Sequence, residues 1–289
     1  MDEAQPNVAE AGDPASVAAL PERTLPLRRT HQWDVLDAST KRILLLETAL
    51  ILGISLGRSA IYSLLSLIEK LTRPESLGSQ TTTINNSVVP DRPWLDVMYL
   101  VTDYLIPLVP ALLALFLIKN LFPPSDAPYR LMGLDATRPG RDVAQAFAIA
   151  AAIGIPGLAF YVFAKAIGIN TTIAAANLTD HWGRIPLLVL SAFRAGFTEE
   201  VIMVGYLGTR WAQLNWGPWR WILTSAAIRG GYHLYQGFGG AIGNFVMGVA
   251  FGWFYVKTGR LWPLILAHLL LDVVSFVGYA LLHNVLSWL

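Results

Sequence analysis

Long apolar runs alternate with short polar connections along this chain. Stretches long enough for a membrane-crossing helix of roughly 20 residues lie near 42–69, 94–119, 143–168, 185–211, 219–236, 239–257 and 261–287. The pattern predicts an all-α fold: a polytopic transmembrane helix bundle of about seven spans. Residues 1–40 are rich in Ala, Pro, Asp and Glu and hold no apolar core. They read as a disordered cytoplasmic tail, because Asp2 and Glu3 stand where a signal peptide would carry positive charge. N-terminal transmembrane helices then occupy 41–184, and a more polar group of spans occupies 185–289.

Composition strengthens the membrane reading. The chain is 54% hydrophobic and 14% charged, whereas a soluble domain carries about a quarter charged residues. A net charge of +1 gives no reason to expect a nucleic-acid partner. The absence of cysteine excludes thiol nucleophiles, disulfides and thiolate metal sites.

Arg23, Arg28, Arg29, Lys41 and Arg42 precede the first span and place the N-terminus in the cytoplasm. With that orientation Lys119, Arg130, Arg138, Arg141, Arg210, Arg220, Lys257 and Arg260 fall on inner segments. Only Lys70, Arg73, Arg92 and Arg184 fall outside. An integral, multi-pass protein of a bacterial plasma membrane fits this asymmetry. Leu71 to Asp91 reads as an exposed outer loop and the segment from Pro123 as an inner one, neither with visible chemistry. The sequons at Asn85, Asn170 and Asn177 lie in predicted outer loops and carry little weight as short matches.

Polar residues inside spans each need a physical reason, since a charge at the centre of a membrane helix costs about 2.5–3.5 kcal/mol by insertion scales. Arg58 and Asp103 lie at similar depths and are expected to pair between neighbouring helices. Glu47 and Lys165 lie near span ends and can snorkel. Gly53 to Gly57, GISLG, has the spacing of a nucleophile elbow but sits in a hydrophobic helix, not a strand-turn-helix. It reads as close helix packing through glycines four apart, as do Gly239/Gly243 and Gly248/Gly252.

The last hundred residues differ. Glu199 and Glu200 are adjacent in one span, Arg229 and His233 stand four apart in the next, and His268 and Asp272 stand four apart in the last. Residues four apart share a helix face, so each pair can project into a common interior. These are also the residue types of general acid–base chemistry. A carboxylate beside a histidine can position and deprotonate a water for attack on an amide.

This order and spacing resembles the CPBP family, the CAAX-protease and bacteriocin-processing group of intramembrane proteases, also called Abi. Its pattern is EExxxR, FxxxH and HxxxN or HxxxD on successive helices. EEVIMVGYL is similar to the first motif and TGRLWPLILAHLLLD to the third. The resemblance covers roughly 185–289, which it marks as an intramembrane protease core; the earlier spans rest on hydropathy alone. It implies an endopeptidase that attacks a peptide bond with water activated by Glu199 and His233. Glu200 would organise the site through a cation, and His268 and Asp272 would serve the oxyanion. Membrane proteins or lipidated peptides within the bilayer would be the substrates, of the CAAX-type or bacteriocin-related kind.

Two positions depart from the pattern. Val204 stands where the first motif has arginine, and Arg229 where the second has phenylalanine. Arg229 is therefore the candidate for the missing cation, with Arg194 second. Asp272 is harder to reconcile with an oxyanion than asparagine, unless it is protonated or acts by orienting His268. No cofactor is required on this reading. The alternative is zinc held by Glu199, His233 and His268, a good ligand set, although no HExxH is present. Two other functions use the same residue types: a non-catalytic relative, and a proton-coupled transporter, against which stand the lack of an internal repeat and the clustering of these residues in three late spans.

Overall fold

The computed structural model describes residues 36–119 and 128–282. The tail expected over 1–40 therefore lies almost wholly outside the described residues, as do the start of the inner segment from Pro123 and the end of the last predicted span. Local chemistry sets the helix ends. Asp37 caps α1 (Ala38–Leu52) by accepting the Thr40 N–H at 2.6 Å, satisfying one orphan donor of the first turn. Through a π-helical turn, Gly53–Gly57, α1 runs on into α2 (Arg58–Leu71). Pro93 opens α3 (Pro93–Leu105), Pro139 opens α6 (Pro139–Ala166) and Pro218 opens α9 (Pro218–Tyr232), at positions where a missing N–H costs nothing. Between α3 and α6 lie α4 (Leu108–Lys119) and the short α5 (Pro128–Leu131).

The last third holds five helices. α7 (Arg184–Glu199) passes through a second π-helical stretch, Glu200–Tyr206, into α8 (Leu207–Gln213). After α9 come α10 (Phe238–Thr258) and α11 (Trp262–Leu282). Gly259, left-handed at φ 61°, ends α10 with its N–H on the Tyr255 carbonyl, a conformation that glycine adopts without steric cost.

The result is a helical bundle and an integral membrane protein. Among the described residues five helices are long and apolar enough to cross a bilayer: Ala38–Leu71, Pro93–Ile118, Pro139–Ala166, Phe238–Thr258 and Trp262–Leu282. The other two segments counted in the sequence differ from these for physical reasons. The α7–α8 path carries Arg194, Glu199, Glu200 and Arg210. With 15 residues, α9 extends only about 22 Å at 1.5 Å per residue, short of the ~30 Å hydrocarbon core. The main core gathers α9, the second π turn, α10 and α11 around Tyr206, Trp221, Phe251 and Tyr255, all nearly inaccessible. Facing the other way, α6 turns Phe147, Ile155, Leu158 and Phe163 outward, as lipid contact allows.

Short α9 leaves room that the loops fill. β1 (Thr81–Thr83) and β2 (Thr172–Ala174) form a two-stranded parallel sheet, with Thr81 opposite Thr172. Together with Gln80, Asn170 and Thr171, all buried, they make a cap that settles on the turn following α9. The segment expected to be a simple exposed loop is thus partly interior. Asn170 is 1% exposed and accepts the Gly240 N–H, Asn85 accepts from Ser191 and donates to the Ala175 carbonyl, and Asn177 donates to Asn86. These sequons are structural joints.

Three further expectations are corrected. Arg58 lies over the Tyr62 ring, 5.2 Å from its centre, and Asp103 does not pair with it; similar depth says nothing about which way a helix face points. Glu47 does not snorkel: it accepts from Arg210 Nη2 at 2.6 Å and Tyr206 Oη at 2.8 Å, tying the first helix to α8. An alanine Cβ at Gly53 would meet nothing within 4 Å, so GISLG is not a packing seam. Gly248 and Gly252 are one, with built Cβ atoms 3.0 Å from Ala226 and Ile222 of α9. At the end of α10, Arg260 joins Asp135 and Asp142. Burial raises the Asp135 pKa, but the Thr137 and Arg260 hydrogen bonds outweigh it and hold it at about 2.

Candidate active site

Three helices bring the candidate residues together. Glu199 ends α7 and Glu200 begins the π stretch; π turns of this kind are frequent at functional sites. Arg229 is in the last turn of α9 and His233 just beyond its end. His268 is in the second turn of α11, which packs along α7. That packing is close: a Cβ at Gly196 would stand 3.0 Å from the Ile265 carbonyl oxygen and 3.1 Å from Leu269 N.

Glu200 is the buried junction. Its Oε1 accepts from Arg229 Nη2 and from His268 Nδ1, each at 2.7 Å, and the side chains of Glu200 and Arg229 are 0% and 1% exposed. The guanidinium that meets this carboxylate therefore comes from α9. In a π turn the residue that follows over Glu200 is the fifth, not the fourth. Position 204 is turned into the apolar core instead, and Val204 is 1% exposed there.

Glu199 is held differently. Tyr232 Oη donates to its Oε2 at 2.7 Å, and among the described residues no donor meets Oε1. The Tyr232 ring lies against His233, centres 4.7 Å apart, so one tyrosine sits beside both residues. His233 Nδ1 is 3.0 Å from the Arg229 carbonyl oxygen. A carbonyl can only accept, so Nδ1 carries the proton and Nε2 of the neutral ring is an acceptor.

Asp272 lies one turn beyond His268, its Oδ2 3.7 Å from Nε2. That separation allows charge interaction but exceeds a hydrogen bond. With Nδ1–H given to Glu200, Nε2 can donate to another acceptor when the ring is the imidazolium, the form that suits a ring set between two carboxylates. Arg194 is not in this cluster of bonds; its guanidinium lies 6.0 Å from the centre of the Tyr104 ring. Among the described residues no three His, Cys, Asp or Glu side chains are disposed to hold a metal ion. Glu200 and the Arg229 carbonyl engage only Nδ1 of His268 and His233, leaving Nε2 of each ring open. Sequence reasoning missed Tyr232, whose only signal is its place next to His233, and the Glu47–Tyr206–Arg210 joint.

Residues 181–274 match the family model described as Type II CAAX prenyl endopeptidase Rce1-like. The match spans α7 to α11 up to Asp272, and so includes every candidate residue, consistent with the CPBP resemblance. The matched family is one of proteases that act on prenylated substrates in the bilayer. No curated protein and no solved structure matches the chain.

Proposed function

We propose that this protein is an intramembrane endopeptidase of the CAAX-processing kind that hydrolyses a peptide bond with water activated by Glu199 and His233. The observation that carries the reading is the division of labour between adjacent glutamates. Glu200 is fully buried with its Oε1 committed to both Arg229 and His268, whereas Glu199 is only partly buried and meets the neutral phenol of Tyr232. Glu199 is therefore the carboxylate placed to meet a water and take its proton.

Glu199 Oε1 and His233 Nε2 hold the water and take one of its protons as its oxygen bonds the amide carbon. The carbonyl π pair moves onto oxygen. His268 Nε2–H donates to that oxyanion while Asp272 and Glu200 fix the ring. Collapse re-forms the C=O bond, the C–N bond breaks, and the leaving nitrogen takes the proton back. Oriented donors of this type act on charge that develops only in the transition state. No metal is needed for any step. Loss of the usual arginine at position 204 does not leave Glu200 without a cation, which favours an active enzyme over an inert relative.

A farnesylated peptide ending in a CAAX sequence, incubated with the purified protein in lipid vesicles, tests the reading. The wild type should release the terminal tripeptide, with or without chelator. Glu199→Gln should lower the rate by at least about 100-fold, within the range for a general base, with folding preserved. Equal cleavage by Glu199→Gln, or cleavage abolished by chelator, would count against it.

A further inference from the structure

In this chain the third motif ends in Asp272, and a carboxylate cannot donate to an oxyanion. His268 alone supplies an N–H from α11, while sites that stabilise tetrahedral intermediates commonly present two donors or more. The structure holds another donor next to the site, on the turn that follows α9.

That turn is Leu234–Gln236, closed by Gly237 at φ 108°. It is fixed from three directions. Ser63 Oγ accepts the Tyr235 N–H at 2.7 Å. Lys70 Nζ donates to the Tyr235 carbonyl at 2.9 Å. Thr171 donates to the Gln236 carbonyl through both its N–H and its hydroxyl, each at 3.0 Å. Thr82 Oγ1 gives its one proton to Thr171 Oγ1 at 2.7 Å and so braces Thr171 across the cap. Such pinning of a short turn, by α2 and by the cap residues Thr82 and Thr171, is far more than a connection between helices requires.

What the turn presents is Tyr235. Its ring stacks on His233, centres 6.1 Å apart and planes 28° from parallel, which sets the phenol beside the proposed base. Gln236 Nε2 donates to the Tyr235 oxygen at 2.9 Å. The oxygen's acceptor capacity is thereby used, and its own O–H remains to be given. Glu199, Asp272 and Arg194 are near enough to act on it electrostatically.

We infer that Tyr235 is a further catalytic residue, whose phenol O–H donates to the oxyanion of the tetrahedral intermediate beside His268 Nε2–H, supplying the neutral donor that Asp272 does not. This rests on the protease reading above. The donor forms a hydrogen bond only; no proton leaves the phenol, and the charge that it stabilises returns to the C=O bond on collapse. The cap is the element that holds it.

Tyr235→Phe tests the inference, because phenylalanine keeps the ring stacked on His233 and leaves every backbone bond of the turn. On the farnesylated CAAX peptide the expected result is a fall in kcat of about 100-fold, the scale of one lost oxyanion donor, with KM within about twofold and an unchanged melting temperature. Adding Asp272→Asn to Tyr235→Phe should restore at least about tenfold of that kcat by returning a neutral donor to the site. Wild-type kcat in Tyr235→Phe, a change confined to KM, or no recovery in the double variant would overturn the inference while leaving the protease reading standing. A wild-type protein inert on the peptide would instead sink the protease reading itself.

Discussion

Glu200 is tolerable in the interior only because Arg229 and His268 both donate to one of its oxygens. Removing one partner of a buried pair leaves a charge with neither water nor counter-ion, which typically costs 3–5 kcal/mol. Arg229→Met should therefore lower the unfolding midpoint sharply and abolish peptide cleavage. Adding Glu200→Gln should return most of the stability and none of the activity. A double-mutant cycle by thermal unfolding checks this, and additive effects would show that the pair is not coupled. At this scale residue type and approximate depth could be read from the chain: glutamates, histidines and an arginine at helical spacing within apolar runs. Partners could not. Tyr232 and Tyr235 are ordinary residues for a membrane helix, and what distinguishes them is a tertiary placement that one-dimensional spacing does not encode.

Helices deliver these side chains through two kinds of close approach. α10 lies on α9 through Gly248 and Gly252, and α11 lies on α7 through Gly196, where an added Cβ would press on backbone atoms of residues 265 and 269. Backbone does not yield as a side chain does, so Gly196→Ala should push α11 away from α7 and lengthen the His268–Glu200 bond. Activity is expected to fall at least tenfold, since small misplacements of this kind cost up to about 100-fold. Gly53→Ala meets nothing and adds helix propensity, worth up to about 1 kcal/mol; it should leave activity unchanged and raise the melting temperature slightly. Comparable activity in the two variants would contradict this account of the packing. The glycine spacing in the sequence treats Gly53/Gly57 and Gly248/Gly252 alike, because it records small residues but not what lies opposite them. The same limit explains Arg58 and Asp103: depth along a helix follows from counting, azimuth does not.

Over the whole molecule, hydropathy made the bundle legible, and the departures from it are where the site lies. The α7–α8 path carries the charges that the site uses, and α9 stops short, so that its end, His233, lies inside the protein beneath the β1–β2 cap. An apolar count cannot foresee a cap made of threonines, asparagines and a glutamine, which looks like loop until it is folded onto a helix too short to span the bilayer. The central claim is that this assembly activates water, and a single turnover in ¹⁸O-labelled water with excess protein over farnesylated CAAX peptide tests it most directly. Mass spectrometry should find one ¹⁸O atom in the new carboxyl group of the farnesylated fragment at the first turnover and none in Glu199. An unlabelled fragment with ¹⁸O in Glu199, the mark of a covalent acyl intermediate, or no cleavage at all would contradict it.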